Sequence, residues 1–316
     1  MTPATESARP VSVGRLVRDW RVTRGLSQLD LAMRSGFSAK HVSFIETGRT
    51  QPSREALLVL AESLHLPLRE RNRLLEAGGF ARVFGETPLD ASEMSKVRSV
   101  LQFILDRHSP YAAVVLDRHA NCLMGNRAAG VVMSRLVEPH LLPAGANMLR
   151  AVFHPDGMRR WIVNWPEVGG HLLDRATREL GHPSADPRGA QLLEEIRGYG
   201  DVPALADRVP LIRPGDLLLP LHIRRGTLEL RLLSTIMTLG TPHDVTLQEL
   251  RIETLFPADD ESERQWRRMD DRKPQRDGPA VTPPACASAP LAKPTKSKTQ
   301  GRTPGRRSGG EPQFRE

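Results

Sequence analysis

Residues 26 to 49 read Leu26-Ser-Gln-Leu-Asp-Leu-Ala-Met-Arg-Ser-Gly-Phe-Ser-Ala-Lys-His-Val-Ser-Phe-Ile-Glu-Thr-Gly-Arg49, and this stretch decides the fold of the N-terminal region. Ser27 precedes Gln28, Leu29 and Asp30, so its hydroxyl can accept from the free amides of a first helical turn, and Asp30 puts negative charge where the helix dipole favours it. A helix therefore starts at Ser27. Leu31 and Ala32 face inward, and Gly36 ends the helix because glycine takes a left-handed backbone without steric cost. Ser38 caps a second helix that runs from Ala39 to about Thr47 and is closed by Gly48. Val42 and Ile45 form its inner stripe, which leaves Ala39, Lys40, Ser43 and Phe44 on or near the outer side.

Flanking patterns extend the unit. Leu16, Val17 and Trp20 give a helical stripe ending at Gly25. Ser53 caps a helix in which Leu57, Leu60, Ala61 and Leu64 recur at helical spacing, and Pro67 opens another that reaches about Ala77 before Gly78-Gly79. Five short helices that hold one of their number outward fit the major groove of DNA. Residues 12 to 80 resemble the phage-repressor (Xre, or Cro/C1) class of helix-turn-helix domains, through Gly25-Leu-Ser-Gln28, Gly36-Phe-Ser38, Phe44-Ile-Glu-Thr-Gly-Arg49 and Pro52-Ser53. The resemblance implies an all-α, five-helix, lambda-repressor-like DNA-binding domain. It implies that Gln28 holds a phosphate, that Ala39, Lys40, Ser43 and Phe44 read bases, and that Ser38 and His41 lie nearer the DNA backbone. Arg49 is a further candidate phosphate contact. The resemblance also implies a structural ion pair between Arg21 and Glu46. Ala39 departs from the Gln or Asn that the family often carries at the start of the reading helix. Lys40 can donate to guanine, and Ala39 or Phe44 can touch a thymine methyl.

Net charge is a weaker witness. The chain carries +8, but residues 272–316 hold ten Lys or Arg against three acids, residues 1–89 hold thirteen against nine, and residues 90–271 hold 22 against 25. Most of the excess lies in a tail rich in Pro, Ser, Thr, Gly and Lys, too poor in large apolar residues to offset the entropy of ordering. Residues 264–316 are therefore expected to be a disordered basic tail, either merely solvated or a non-specific DNA clamp. Residues 1–11 are also expected to be disordered. They lack an apolar stretch, so no signal peptide is expected, and no apolar run is long enough to span a membrane. Two cysteines, Cys122 and Cys286, give neither a disulfide framework nor metal spacing. A cytoplasmic protein, associated with the nucleoid when bound to DNA, is the expectation.

After a linker and connecting helix (81–108), residues 109–263 suffice for a second domain. Ser92 to Asp106 reads as a helix with Val97, Val100, Leu101 and Ile104 on one face, placed to connect the domains or to pair with a second subunit. Tyr111 to Asp117 and Cys122 to Gly125 read as strands joined by Arg118-His119-Ala120-Asn121, before Asn126 caps a helix to about Val137. Helices follow at Met148 to Phe153, at Gly157 to Leu180 with breaks or kinks at Pro166 and Gly169-Gly170, and at Pro187 to Gly198. Strands return at Leu217 to Arg224, Leu228 to Leu239 and Thr246 to Phe256, predicting an α+β, PAS-like unit with a five-stranded antiparallel sheet. Pro88-Leu-Asp90, Tyr111 to Asn126, His154-Pro-Asp-Gly157 with Asn164-Trp165, and the run Ser234 to Pro257 resemble the MmyB-type ligand-binding domain that follows Xre-type units in bacterial regulators. The resemblance implies a small apolar, fatty-acid-like ligand, with Trp161, Trp165, Leu217, Leu219, Leu232 and Ile236 as candidate lining or as ordinary core.

Enzyme chemistry finds little support. Among ten histidines none falls in an H-E-x-x-H or H-x-x-x-H pattern, and there is no phosphate-binding Gly-Lys-Ser/Thr loop and no G-x-S-x-G elbow. No metal and no cofactor is expected. PAS-like folds also host haem or flavin, but Cys122 lacks the polar motif resembling the photoreactive flavin-binding cysteine, and His108, His119 and His154 read as surface or structural residues. The chain as a whole predicts a regulator that binds a near-palindromic DNA operator as a homodimer and responds to a ligand. The alternatives are a central domain that serves only dimerisation or protein interaction and, more remotely, a small-molecule enzyme.

Overall fold

Serine caps open four of the first five helices in a computed structural model that describes residues 12–180, 186–200 and 218–271. Ser12, Ser27, Ser38 and Ser53 accept from the third amide of α1 (Val13–Thr23), α2 (Gln28–Ser35), α3 (Ala39–Glu46) and α4 (Arg54–Ser63) at 3.1 to 3.4 Å. At Ser27 the cap is reciprocal, since Asp30 Oδ2 accepts from the Ser27 amide at 2.8 Å. Pro67 leads into α5 (Leu68–Ala77). Val17, Leu31, Val42, Ile45, Leu57, Leu60 and Leu64 are fully buried together, each worth about 1.5–3 kcal/mol of transfer free energy. At Gly14 a Cβ would lie 2.3 Å from the Ile45 carbonyl oxygen, so α1 crosses α3 backbone to backbone.

The expected linker is fastened between the two domains. Asn72 of α5 accepts from the Val83 and Phe84 amides and donates to the Phe84 carbonyl. Gly85 bridges to Asp244, whose carboxylate also accepts from the Thr87 amide and hydroxyl. A short helix, α11 (Val245–Glu249), starts at Asp244 and reaches back to α5: Gln248 Oε1 accepts from the Leu68 amide at 2.6 Å, and Glu249 takes both Nε and Nη2 of Arg69 at 2.7 and 2.9 Å. Arg69 also pairs with Glu86. Glu249 in turn lies 3.4 Å from Arg118, which pairs at 2.7 Å with Asp186, and His119 Nε2 sits 2.9 Å from the same carboxylate. Burial pushes the Asp186 carboxyl up, but hydrogen bonds from the Gly189 amide and His119, with the Arg118 charge, hold it below its ordinary value.

The sheet has five antiparallel strands in the order β2-β1-β5-β4-β3, with β1 Ala113–Leu116, β2 Cys122–Gly125, β3 Leu221–Arg225, β4 Leu228–Met237 and β5 Arg251–Pro257. One face, through Ala113, Val115 and Ile252, packs on Leu101 and Leu105 of α6 (Ser95–Arg107). Val114, Ile223, Leu230, Leu232 and Leu255 join the larger core with α7 (Arg127–Leu136), α8 (Met148–Phe153), α9 (Trp165–Leu180) and α10 (Pro187–Gly198). On α6 Leu101 and Leu105 are buried and Val97 and Ile104 pack partly buried beside them, so the expected face holds except at Val100, which is exposed.

Other expectations need correction. Thr246 to Glu249 are helical rather than strand, since Asp244 accepts from the Thr246 and Leu247 amides and so caps a turn. The strand expected from Leu217 begins at Leu221, and Leu217 itself lies outside the described residues. Gly169 and Gly170 do not break α9: both are buried, and a Cβ on Gly169 would lie 2.9 Å from the Trp165 ring. Residues 264–271, expected in the tail, belong to α12 (Asp260–Asp271), with Trp266 fully buried. The reason is an open strand edge. β4 runs past the end of β5, and its Glu229 and Arg231 amides donate to Gln265 Oε1 and Ser262 Oγ of α12, both at 2.8 Å. The disorder expected of residues 1–11 and of 272–316 falls outside the described residues. Among the described residues no helix is long and apolar enough to cross a membrane.

Candidate nucleic-acid interface

Arg21 reaches from α1 to the end of α3. Its Nε and Nη2 donate to Glu46 Oε1 and Oε2 at 2.6 and 2.9 Å, and Nη1 donates to the Leu26 carbonyl at 2.7 Å. Gln28, expected on a phosphate, donates one amide hydrogen to Glu46 Oε2 at 2.8 Å. The α3 orientation is thus set by a charged three-residue cluster as well as by apolar packing. Burial pushes the Glu46 carboxyl up, but the hydrogen bonds from Arg21 and Gln28 outweigh it and leave the group below its ordinary value.

The candidate reading residues divide into two groups. Lys40 and Arg49 are exposed, and Phe44 between them is half-buried outside the apolar core. Lys40 Nζ lies 5.5 Å from the Phe44 ring centroid and the Arg49 guanidinium carbon 5.8 Å from it, so an aromatic ring is flanked by two cations. Arg49 is aimed by Gly48, whose φ of 72° turns the chain, and its amide donates to the Phe44 carbonyl at 2.8 Å. In the other group only Ser38 is exposed. Ala39 packs against the core, and His41 meets the Phe37 ring edge-on at 5.3 Å between centroids. The Ser38 hydroxyl oxygen accepts from the His41 amide, and Ser43 is half-buried. The Lys40–Phe44 spacing of four was visible in the sequence; the approach of Arg49 to the same ring was not, because it depends on the turn after α3.

The candidate ligand residues separate: Trp161, Trp165 and Leu232 belong to the larger core, and Leu219 and Ile236 do not. Trp165 and Leu232 are buried in the core, Trp165 against Phe153 at 5.1 Å. Trp161 is partly buried, donates Nε1–H to the Leu136 carbonyl at 3.1 Å, and has the guanidinium carbons of Arg160 and Arg225 4.8 and 4.7 Å from its ring centroid. Leu219 and Ile236 are exposed, so neither lines an enclosed interior among the described residues. Ile236 lies on the part of β4 beyond its pairing with β3, where the strand has no β3 residue beside it.

Comparison with known proteins agrees with this organisation. A family model for a helix-turn-helix domain matches residues 12–74. A model for the MmyB-like transcription regulator ligand binding domain matches residues 97–269. A solved structure, the restriction-modification controller protein C.AhdI from Aeromonas hydrophila, is similar at 35% identity over 21% of this chain and 98% of that one, with a TM-score of 0.19. Comparison with curated proteins gives no match. The ligand-binding-domain model spans more than half of the chain and a DNA-binding helix-turn-helix precedes it, so the chain belongs to the MmyB-like transcription regulators.

Proposed function

We propose that this regulator reads a near-palindromic operator as a homodimer, with α3 of each subunit in successive major grooves, and that a small apolar ligand in the sheet domain alters its DNA affinity. The observation that carries the DNA half is the cluster of Lys40 and Phe44 on α3 with Arg49 in the turn after it, beside the Arg21–Glu46–Gln28 tie. In this reading Lys40 donates to a guanine edge, Phe44 meets a thymine methyl, and Arg49 and the second amide hydrogen of Gln28 hold phosphates. Ala39, Ser38, His41 and Ser43 shape the approach rather than supply most of the base contacts, since Ala39, His41 and Ser43 are half-buried and the Ser38 hydroxyl caps α3.

The ligand half rests on the family to which residues 97–269 belong and on the chain of ion pairs from Asp186 through Arg118 and Glu249 to Arg69 on α5. A ligand that favours one arrangement of that chain shifts the DNA-binding domain by its difference in affinity for the two arrangements. The test is selection from random duplex DNA by the full-length protein, followed by binding of Lys40→Ala to the enriched sequence and to an unrelated duplex. An enriched inverted repeat is expected, with Lys40→Ala losing about 1–3 kcal/mol on that repeat and less on the unrelated DNA. Recovery of no common sequence removes the operator reading. Equal losses on both duplexes make Lys40 a phosphate contact only.

A further inference from the structure

His140 and His154 stand 14 residues apart, and the fold sets both near the carboxylate of Asp156. His140 lies in the 3-10 turn Pro139–Leu141 that follows α7, while His154 ends α8 and Asp156 follows it closely. His140 Nε2 is 3.8 Å and His154 Nδ1 3.9 Å from the same oxygen, Oδ2 of Asp156, and one ligand atom from each of the three falls within 4.8 Å of the others. Those distances are too long for hydrogen bonds between the side chains. Two imidazoles and a carboxylate thus face a shared space without bonding one another. His140 and Asp156 are exposed, which leaves the space open to water and ions.

The loop that carries the cluster is well braced. The Glu138 amide donates to the Asp156 carbonyl, joining the turn to the loop, and the Gly157 amide donates to the His154 carbonyl at 2.8 Å. Gly157 admits no side chain, since a Cβ would lie 2.2 Å from the Ala151 carbonyl oxygen. The His154 ring is met edge-on by His140 at 5.8 Å and by Tyr199 at 5.0 Å. Its Nδ1 accepts from the Asp156 amide at 3.1 Å, so that nitrogen presents a lone pair and a neutral ring carries its proton on Nε2.

We propose that His140, His154 and Asp156 bind a divalent first-row transition-metal ion, with water completing its coordination. Two neutral imidazoles with a carboxylate suit Zn²⁺, Co²⁺ or Ni²⁺ rather than the oxygen-seeking Ca²⁺ or Mg²⁺. Ligand–metal distances of about 2.0–2.2 Å require the three side chains to close by on the order of 1 Å. If His154 binds through Nδ1, the ion replaces the Asp156 amide as the partner of that lone pair. The ion then fastens the turn after α7 to the end of α8, beside the C-terminus of α10.

The experiment is a Co²⁺ titration of untagged, full-length protein followed by the visible d–d spectrum, with thermal midpoints measured in Zn²⁺ and in chelator. One equivalent of Co²⁺ is expected to bind with a d–d spectrum of mixed nitrogen and oxygen ligation, and Zn²⁺ is expected to raise the midpoint. His140→Ala and Asp156→Asn are both at exposed side chains, and each should weaken binding by about tenfold or more. His243→Ala, at an exposed histidine outside the cluster, should leave it unchanged. No specific spectrum, or affinity equal to wild type in His140→Ala and Asp156→Asn, overturns the site.

Discussion

Replacing Arg21 by methionine tests whether charge as well as packing holds α3 in place. The Glu46 side chain is 2% exposed and that of Arg21 11%, so their pair lies largely out of water. The substitution removes two charge-assisted hydrogen bonds to Glu46 and one to the Leu26 carbonyl, while Gln28 still donates to the stranded carboxylate. At about 1.5–3 kcal/mol for each charged bond, less what Gln28 and entering water restore, the expected cost near pH 7 is about 3–5 kcal/mol. Its pH dependence carries the sharper test. In the wild type the folded Glu46 pKa lies below the ordinary value of 4.5, so its contribution is complete above that pH and is lost as pH falls through the lower folded value. Without Arg21 burial dominates and the folded pKa rises above 4.5, so the penalty is full above the raised value and shrinks as pH falls through it. Hydrogen exchange of amides in residues 39–49, corrected for intrinsic rates and read near pH 7 and near pH 4, measures both. Adding Glu46→Gln to Arg21→Met removes the stranded charge and should recover about 1–2 kcal/mol near pH 7. A cost under about 1 kcal/mol, an equal cost at both pH values, or no recovery in the double variant refutes the account.

Three further outcomes follow from the packing. Gly14→Ala forces a Cβ onto the Ile45 carbonyl and should destabilise the helix-turn-helix domain by about 1–3 kcal/mol, visible as a lowered urea midpoint; an unchanged midpoint shows that α1 and α3 can separate freely. Trp266→Ala removes a fully buried ring and its hydrogen bond to the Pro110 carbonyl, so the sheet domain should lose about 3–5 kcal/mol, whereas a loss below 1 kcal/mol would return α12 to the tail. Arg69→Gln cuts a partly exposed pair and should cost about 1 kcal/mol globally, but exchange of the Leu68 amide should rise as the α5–α11 contact opens; unaltered exchange there means that Gln248 holds the junction alone.

Local chemistry made the N-terminal domain readable. Ser27 with Asp30, Gly36, Ser38 and Gly48 all act within one helical turn of themselves, and the helix bounds they imply match α2 and α3 closely. The sheet domain was readable in order and class but less so in detail, because its boundaries depend on distant partners. Asp244 looks like a loop residue until its carboxylate is seen capping α11 and holding Thr87. Gly169-Gly170 looks like a break until Trp165 is seen to need the space. Trp266 looks stranded in a polar tail until the open edge of β4 recruits its helix. Among the ligand candidates, alternating Leu and Ile mark a sheet face, but Leu232 is buried and Ile236 exposed, and the pairing of β4 with β3 ends at Leu232.

The same dependence on distant partners gives the proposed ligand response a lever at the junction. Coupling between two sites is typically about 1–3 kcal/mol, which is also the scale of one or two half-buried ion pairs. Arg69 and Arg118 both bind Glu249, and Arg118 also binds Asp186 at the N-terminus of α10. Glu249 is therefore shared: drawing Arg118 toward Asp186 leaves its carboxylate to Arg69, and releasing Arg118 makes the two guanidiniums compete for it. A shift of α10 by about the length of one hydrogen bond can change that sharing without unfolding either core. The sequence holds no sign of this arrangement, since Arg69, Arg118, Asp186 and Glu249 stand in four separate segments that only the folded chain assembles. A double-mutant cycle between Arg118→Gln and Arg69→Gln measures it directly, with DNA affinity as the readout. A coupling energy of at least about 0.5 kcal/mol is expected, and strict additivity would show that the two domains respond independently.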